Sequence, residues 1–286
     1  MNGIVIIDKP AGWTSQDVVS KLRGVLHTKR IGHGGTLDPM ATGVLPVFVG
    51  RGTRAVEFFE HAEKTYETVL RLGITTDTED ITGNILQQQA VSVTEQQFLV
   101  VLEQFRGEVQ QIPPMYSALK INGQKLCDLA RRGKEVERKP RTITIHALDC
   151  LSFDGQTARF RVNCSKGTYI RTLCKDIGNA LGCGGCMESL RRIAAGAYTI
   201  DEAVELAVLV DAADPEQYLR PVDSMFTDFP AVTLTEKQAL RCRNGNSFSI
   251  DLPDGTYRAY DQAGAFLMLA KVESGVMSTI KSFFEV

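Results

Sequence analysis

Gly32-His33-Gly34-Gly35-Thr36-Leu37-Asp38-Pro39-Met40-Ala41-Thr42-Gly43 is the stretch on which the reading of this chain turns. Glycines at 32, 34, 35 and 43 are too dense for a helix or a regular strand, and they permit positive φ values and close approach of the backbone to a ligand. Pro39 fixes the chain immediately after one carboxylate, Asp38. An acid before proline in such a run also makes an ordinary tight turn. Two features argue for more than a turn. His33 lies just upstream of the acid, and apolar segments flank the loop, so it is expected to be held between packed elements.

Outward from the loop the periodicity is mixed. Residues 3–8 read as a strand, and Ser15 opens a helix with Val18, Leu22 and Val25 on one stripe. Residues 44–49 form a short apolar strand, and Ala55, Phe58, Phe59 and Ala62 fall at helical spacing within 53–62. The period then changes to two: Tyr66, Thr68, Leu70 and Leu72 share one face of a strand, with Glu67 and Arg71 on the other. Thr94-Glu95-Gln96-Gln97 is a capping box before a helix that turns Phe98, Val101, Leu102 and Phe105 inward. Ile143, Ile145 and Ala147 alternate, as do Ala158, Phe160, Val162 and Cys164, which predicts a pair of strands. Gly167-Thr168-Tyr169-Ile170-Arg171 leads into a helix burying Leu173, Cys174, Ile177 and Leu181. The fold class is therefore α+β.

Two segments depart from this pattern. Residues 107–141 carry Pro113-Pro114, a short helical stretch at 125–132 and a basic cluster, and read as an insertion that grips a ligand. Pro221 and Pro230 mark a linker. Beyond it, a capped helix at Thr235-Glu236-Lys237-Gln238 and strands at 257–260, 266–272 and 279–285 form a small β-rich module, so the expected division is 1–229 and 230–286.

Composition narrows the function. With 286 residues and 43% hydrophobic content the chain can bury a large core. It has no apolar run of membrane-spanning length and no signal-type h-region, which predicts a cytoplasmic protein with no membrane partner. Seven cysteines at irregular spacing suit a reducing compartment. Cys183-Gly184-Gly185-Cys186 lacks a second ligand pair and reads as small residues in a turn, not as a metal site. The net charge of −2 hides a strong asymmetry. Residues 115–141 hold eight basic side chains against three acidic ones, and Lys21, Arg23, Lys29 and Arg30 run into the Asp38 loop without an intervening acid. Two basic patches, one abutting the loop, suit a phosphate backbone.

The loop resembles the G-H-x-G-x-L-D-P-x-A-x-G motif of the TruB family of pseudouridine synthases, and three further blocks agree in order. Asp8-Lys9-Pro10-Ala11-Gly12-Trp13-Thr14-Ser15 is similar to the family's opening block. Lys64-Thr65-Tyr66-Glu67, with Gly73 and Thr76-Asp77-Thr78-Glu79-Asp80, is similar to the next. Gly167-Thr168-Tyr169-Ile170-Arg171 and Leu190-Arg191-Arg192 complete the set, so the resemblance spans about residues 3–195. It implies a mixed, mainly antiparallel central sheet flanked by helices, followed by a reduced PUA-like RNA-binding module.

The same resemblance implies a chemistry. Isomerising uridine to pseudouridine breaks the N-glycosidic bond, turns the uracil and rejoins it through carbon, which calls for no cofactor. Asp38 would be the nucleophile, at ribose C1′ or uracil C6, and Arg171 its partner. Tyr66 would stack on the target base, with Tyr169 and Leu190 completing the pocket wall. Lys9 and Pro10 would support the Asp38 loop on the substrate-binding side, and His33 would line the surroundings of the extruded nucleotide. Bacterial-type members modify uridine 55 in the T loop of tRNA without guide RNA or protein partner, here expected as a monomer. An RNA-binding module with an idle site, and a metal hydrolase using His27, His33 and Asp38, are the competing readings. Asp80 could be no more than part of an acidic turn.

Overall fold

The computed structural model describes residues 1–285. Its frame is a ten-stranded mixed sheet. The principal strands are β1 (Gly3–Lys9), β2 (Ile31–His33), β3 (Thr42–Val49), β4 (Lys64–Leu72), β5 (Gly107–Gln111), β6 (Arg141–Phe153), β7 (Thr157–Cys164) and β8 (Gly185–Ala195). Their spatial order is β1-β3-β8-β4-β7-β6-β5, with β2 on β3 and short strands at Tyr198–Thr199 and Val204–Glu205 pairing with β8 and β1. Neighbours are antiparallel except for β8 with β3 and β1 with Val204–Glu205. The α+β, mainly antiparallel expectation holds.

Burial explains the strand patterns. In β1, Ile4 and Ile6 face one core cluster while Val5 and Ile7 face another, so the strand is apolar on both sides instead of alternating. In β4, by contrast, Tyr66, Thr68, Leu70 and Leu72 are buried and the intervening residues half-buried, the expected period of two. Helix α1 (Ser15–Val25) lays Val18 and Leu22 over β1 and β3. Helices α2 (Glu95–Glu103) and α3 (Ile170–Ala180) bury Phe98, Leu102, Leu173 and Ile177 against Leu70, Ile143, Phe160 and Val162. Both the Thr14–Asp17 and Thr94–Gln97 capping boxes form, each contributing about 1 kcal/mol.

Three expectations need correction. Residues 107–111 are not part of an insertion: they form β5, the edge strand paired with β6, because Gly107–Gln111 matches the register of Arg141–Ile145. The excursion begins after Gln111, with a small hairpin and the helix Leu126–Ala130. The segment 220–230 is no loose linker, since Val222–Phe226 winds into a 3-10 helix whose Val222 and Phe226 are buried between the two sheets. The helix expected at 53–62 is shorter and begins as a 3-10 turn, Gly50–Ala55, followed by Val56–Phe59.

The second sheet comprises β9 (Ala231–Thr233), β10 (Gly255–Tyr260), β11 (Phe266–Glu273) and β12 (Val276–Ser282), with a short edge strand, Phe248–Ser249, and helix α4 (Glu236–Arg243) across it. It has its own core around Leu234, Leu267 and Met277. It also docks on the first sheet: Phe226 lies 6.2 Å from Phe266 and 5.8 Å from Phe283 between ring centroids.

The large sheet consists of two parts joined at a narrow seam. Where β3 meets β8, only Thr42 and Gly43 pair, with Arg191 and Arg192. Gly43 has φ 102°, and a Cβ there would stand 2.1 Å from the Arg192 carbonyl oxygen. Gly34 is equally confined, since its Cβ would fall 2.6 Å from the Phe59 ring. These two loop glycines serve close packing, not room for a ligand. Gly43→Ala is expected to destabilise the fold by at least about 3 kcal/mol, measured as a lowered urea midpoint; an unchanged midpoint would contradict the tight seam.

Candidate active site

The Asp38 loop runs from the end of β2 to the start of β3 and is tied down by the opening block of the chain. Ser15 Oγ accepts from the Leu37 amide at 2.8 Å and donates to the Leu37 carbonyl at 3.2 Å. The Gly12 amide donates to the Pro39 carbonyl at 2.8 Å. Lys9 has no exposed surface, and its Nζ donates to the carbonyls of Trp13 (2.6 Å), Pro10 (2.8 Å) and Pro39 (3.3 Å). Burial pulls the Lys9 pKa down to about 8, opposed by the nearby charge of Asp38. With Leu37 and Ala41 buried on either side, the loop has a fixed path and presents the Asp38 carboxylate outward.

Arg171 meets that carboxylate from the first turn of α3. Its Nε lies 2.9 Å from Asp38 Oδ2, and its Nη2 donates to Asp38 Oδ1 at 3.2 Å. The remaining donors go to carbonyls, Tyr116 from Nη2 at 2.8 Å and Thr78 from Nη1 at 3.1 Å. The guanidinium is thus held in a plane by four acceptor atoms. Exposure divides the pair: 6% of the Arg171 side chain is accessible against 35% of Asp38, so the acid faces the cleft and the base is structural backing.

Asp80 stands on the far side of the same guanidinium, with Oδ2 3.9 Å from Arg171 Nε. Its Oδ1 accepts from the hydroxyls of Thr78 and Thr82 and from the Thr82 amide. These bonds make the acidic turn the sequence suggested, and the turn also sets Asp80 beside Arg171.

The two acids and Arg171 open on, or lie behind, a cleft of about 430 Å³. His33, Asp38, Tyr66, Tyr169, Arg171 and Leu190 all line it, so six of the eight residues singled out in the sequence converge. Tyr66, on β4, is buried, which pushes its phenol pKa up and keeps it protonated and a poor base at neutral pH. Tyr169 is fixed through its backbone: its amide donates to Gln111 Oε1 at 2.8 Å, and Gln111 Nε2 donates to its carbonyl at 3.0 Å. His33 has a buried Nδ1 without a partner, and burial, followed by Arg192, lowers its pKa. Lys9 and Pro10 do not line the cleft; they border a separate hollow, and the Lys9 ammonium reaches only the carbonyls of the loop and its support.

Sequence reasoning missed three cleft cations, of which Lys166 is exposed and Arg192 and Lys64 are not. Arg192 is 1% exposed and donates from Nε to the Val44 carbonyl (2.7 Å) and from Nη2 to the Gly35 carbonyl (3.1 Å). Lys64 lines the cleft below Phe59. Both sat within quoted motifs, but nothing in their spacing separates an inward cation from a solvated one. Cys183 and Cys186 are buried free thiols whose pKa values burial raises, and Cys183 is satisfied within its own turn. His27 is exposed at the end of α1 and does not line the cleft with His33 and Asp38.

Comparison with known proteins gives this geometry a lineage. Residues 23–170 match the family described as TruB family pseudouridylate synthase (N terminal domain), and residues 171–227 match the tRNA pseudouridylate synthase B C-terminal domain. The tRNA pseudouridine synthase B of Clostridium kluyveri is 40% identical over 289 residues, covering 99% of this chain and 100% of that protein. Its namesake from Dechloromonas aromatica is 46% identical over 252 residues, 87% of this chain and 84% of that one. The solved structure of a Cbf5-Nop10-Gar1 complex contains a chain that superposes with a TM-score of 0.73 at 26% identity, covering 99% of this chain and 85% of its own. The fold and cleft define a pseudouridine synthase, an RNA-modifying isomerase. The chain belongs to the TruB family of tRNA pseudouridine synthases.

Arg171→Lys keeps one positive charge but cannot reach two carboxylate oxygens and two carbonyls at once. Pseudouridine formation is expected to fall at least about a hundredfold, and full turnover in a single-turnover assay would count against the need for the planar fork. Lys9 gives a pH signature. The folded chain releases its proton near pH 8, the unfolded chain near 10.5. Between those values the unfolded state binds more protons, so this residue's contribution to stability rises with pH across that window and is flat below it. Lys9→Met should remove that rise, read as the difference between wild-type and variant urea midpoints from about pH 7.5 to 10.5; parallel curves would contradict it.

Proposed function

We propose that the chain converts uridine 55 in the T loop of tRNA to pseudouridine, with Asp38 as nucleophile, acting as a monomer and without guide RNA, protein partner or cofactor. The observation that carries this reading is the Asp38 carboxylate, accessible in the cleft yet bound through both oxygens to Arg171, beside the buried Tyr66 ring. The names of the relatives, which are tRNA pseudouridine synthases B, support tRNA as the substrate.

The chemistry follows from the cleft. A uridine stacked in the T loop is extruded, at a cost of a few kcal/mol, and its base lies against Tyr66 and Leu190. Asp38 attacks ribose C1′ or uracil C6, the N1–C1′ bond breaks, and the uracil turns within the cleft. The C5–C1′ bond then forms, the bond between the Asp38 oxygen and the substrate breaks to return the free carboxylate, and the C5 proton passes to solvent while N1 gains one, so the product has the atoms of the substrate. Arg171 compensates the charge of Asp38 and aims its oxygens. Tyr66, held protonated by burial, serves first as a stacking surface. The excursion at 112–140 and the C-terminal sheet are the proposed grips on the RNA, reading the shape of the loop more than its sequence.

Asp38→Asn is close to isosteric and removes the nucleophile. With a T stem-loop transcript it is expected to reduce product by at least about a thousandfold while binding changes by less than about threefold. Chemical mapping of pseudouridine in the full tRNA should locate the wild-type product at the T-loop position alone. Undiminished product in the variant, or modification elsewhere, would refute the assignment.

A further inference from the structure

Three cations of the cleft have no acidic partner. Arg192 is buried and its hydrogen bonds go to two carbonyls. Lys64 donates to the carbonyls of Ala62 (2.5 Å) and Glu60 (3.5 Å). Lys166 is exposed on the cleft lining, 2.9 Å from His61 Nδ1. Among the described residues no carboxylate pairs with any of the three, and the negative charge of Asp38 is already engaged by Arg171. The three also act on one another: burial first, then Arg192, lowers the Lys64 pKa, and Lys166 adds to this while the carboxylate of Glu60 opposes it.

Two of these side chains meet at one point, and Lys166 lines the same cleft. Gly35 is exposed in the cleft, and a Cβ on it would stand 3.6 Å from Arg192 Nη1 and 4.0 Å from Lys64 Cε. The bare face of Gly35 is therefore the floor of a small positively charged recess. The N-terminal end of α3 opens on the same cleft and adds partial positive charge. Unbalanced cations in a half-buried recess call for an anion from the ligand, and an extruded nucleotide brings a phosphodiester on either side of its base.

We infer that the cleft contains a phosphate-binding subsite, made by Lys64 and Arg192 beside Gly35 with Lys166 on the same cleft lining, which takes a phosphodiester adjoining the extruded uridine. The inference rests on the proposed function and adds how the flipped nucleotide is held by its backbone while its base is detached. Such an anchor is needed because the uracil is free to turn only if the ribose stays in place.

Binding of a T stem-loop RNA is measured against salt concentration for the wild type, Lys64→Met, Lys64→Arg and Lys166→Met. Each Met variant is expected to lower the slope of log K against log salt by about 0.7 and to weaken binding about tenfold at low salt, with Lys64→Arg keeping the wild-type slope. The same RNA is then made with a neutral methylphosphonate at the linkage on one side of the target uridine, or on the other. One of the two should weaken wild-type binding about tenfold and leave Lys64→Met binding unchanged. Unaltered slopes in both Met variants, or equal methylphosphonate penalties in wild type and Lys64→Met, would overturn the subsite. Binding alone judges it; absence of pseudouridine from the stem-loop after incubation with wild-type protein would instead overturn the substrate assignment.

Discussion

Everything in the catalytic cleft depends on one narrow join, the pairing of Thr42 and Gly43 with Arg191 and Arg192. On one side of it lie β1, β2, β3 and the loop that carries Asp38. On the other lie β4 with Tyr66, β8 with Leu190, and α3 with Arg171. Two residue pairs of parallel ladder are a weak hinge by themselves. They become a rigid one because Gly43 fits against the Arg192 backbone with no space for a side chain, and because the Arg192 guanidinium reaches back across the seam to the Val44 and Gly35 carbonyls. The Arg191–Asp8 and Arg171–Asp38 ion pairs are further bridges over the same gap. Chemistry and architecture share these contacts, so a change to Arg171 or Arg192 is felt in both.

Charge is distributed in the cleft according to what each group must do. Lys9 and Arg192 are buried cations whose partners are carbonyl oxygens, an arrangement that ties several loop segments together without consuming a carboxylate. Burying a cation in this way costs free energy, visible in the lowered pKa of Lys9. The return is geometric: Asp38 remains accessible and, among the described residues, its carboxylate is bound by Arg171 alone, while Asp80 lies near the same guanidinium.

Local pattern and local chemistry were readable wherever one rule dominated. The alternation of Tyr66, Thr68, Leu70 and Leu72 and the Thr94 and Thr235 caps appear in the structure as expected, because each depends on neighbours in sequence. Strand β8 was missed, although it is central to the sheet. Two bulges, at Met187/Ser189 and Arg192/Ala194, break its period of two, and a buried arginine disguises its inward face. Strand β5 reads in sequence as the start of an insertion because Gly-Glu-Val-Gln-Gln is polar, as an edge strand can be. For the site, the acid, its arginine and the aromatic residues were legible through their motifs. The carbonyls of Tyr116 and Thr78 that flatten Arg171 were not, since a backbone acceptor leaves no trace in residue identity.

The segment 50–60 explains how a distant sheet can matter to the cleft. Its inner side, Val56, Phe59 and Glu60, forms part of the cleft wall, with Phe59 packed against Phe48 and Tyr198 at 5.9 Å between centroids. Its outer side meets the second sheet: Arg54 donates to Ser282 Oγ at 3.0 Å, Glu57 pairs with Lys281, and Phe58 lies edge-on to Phe226 at 5.3 Å. Phe226 in turn packs on Phe266 and Phe283 of that sheet. The position of the second sheet is therefore set by interdigitated aromatic rings, not by a tether, and rings packed in this way resist sliding. An RNA held at the second sheet is registered to the cleft through a wall they have in common. The distance from the second sheet to Asp38 is thus a property of the apolar core, and substitutions at Phe58 or Phe226 would alter it without touching the cleft.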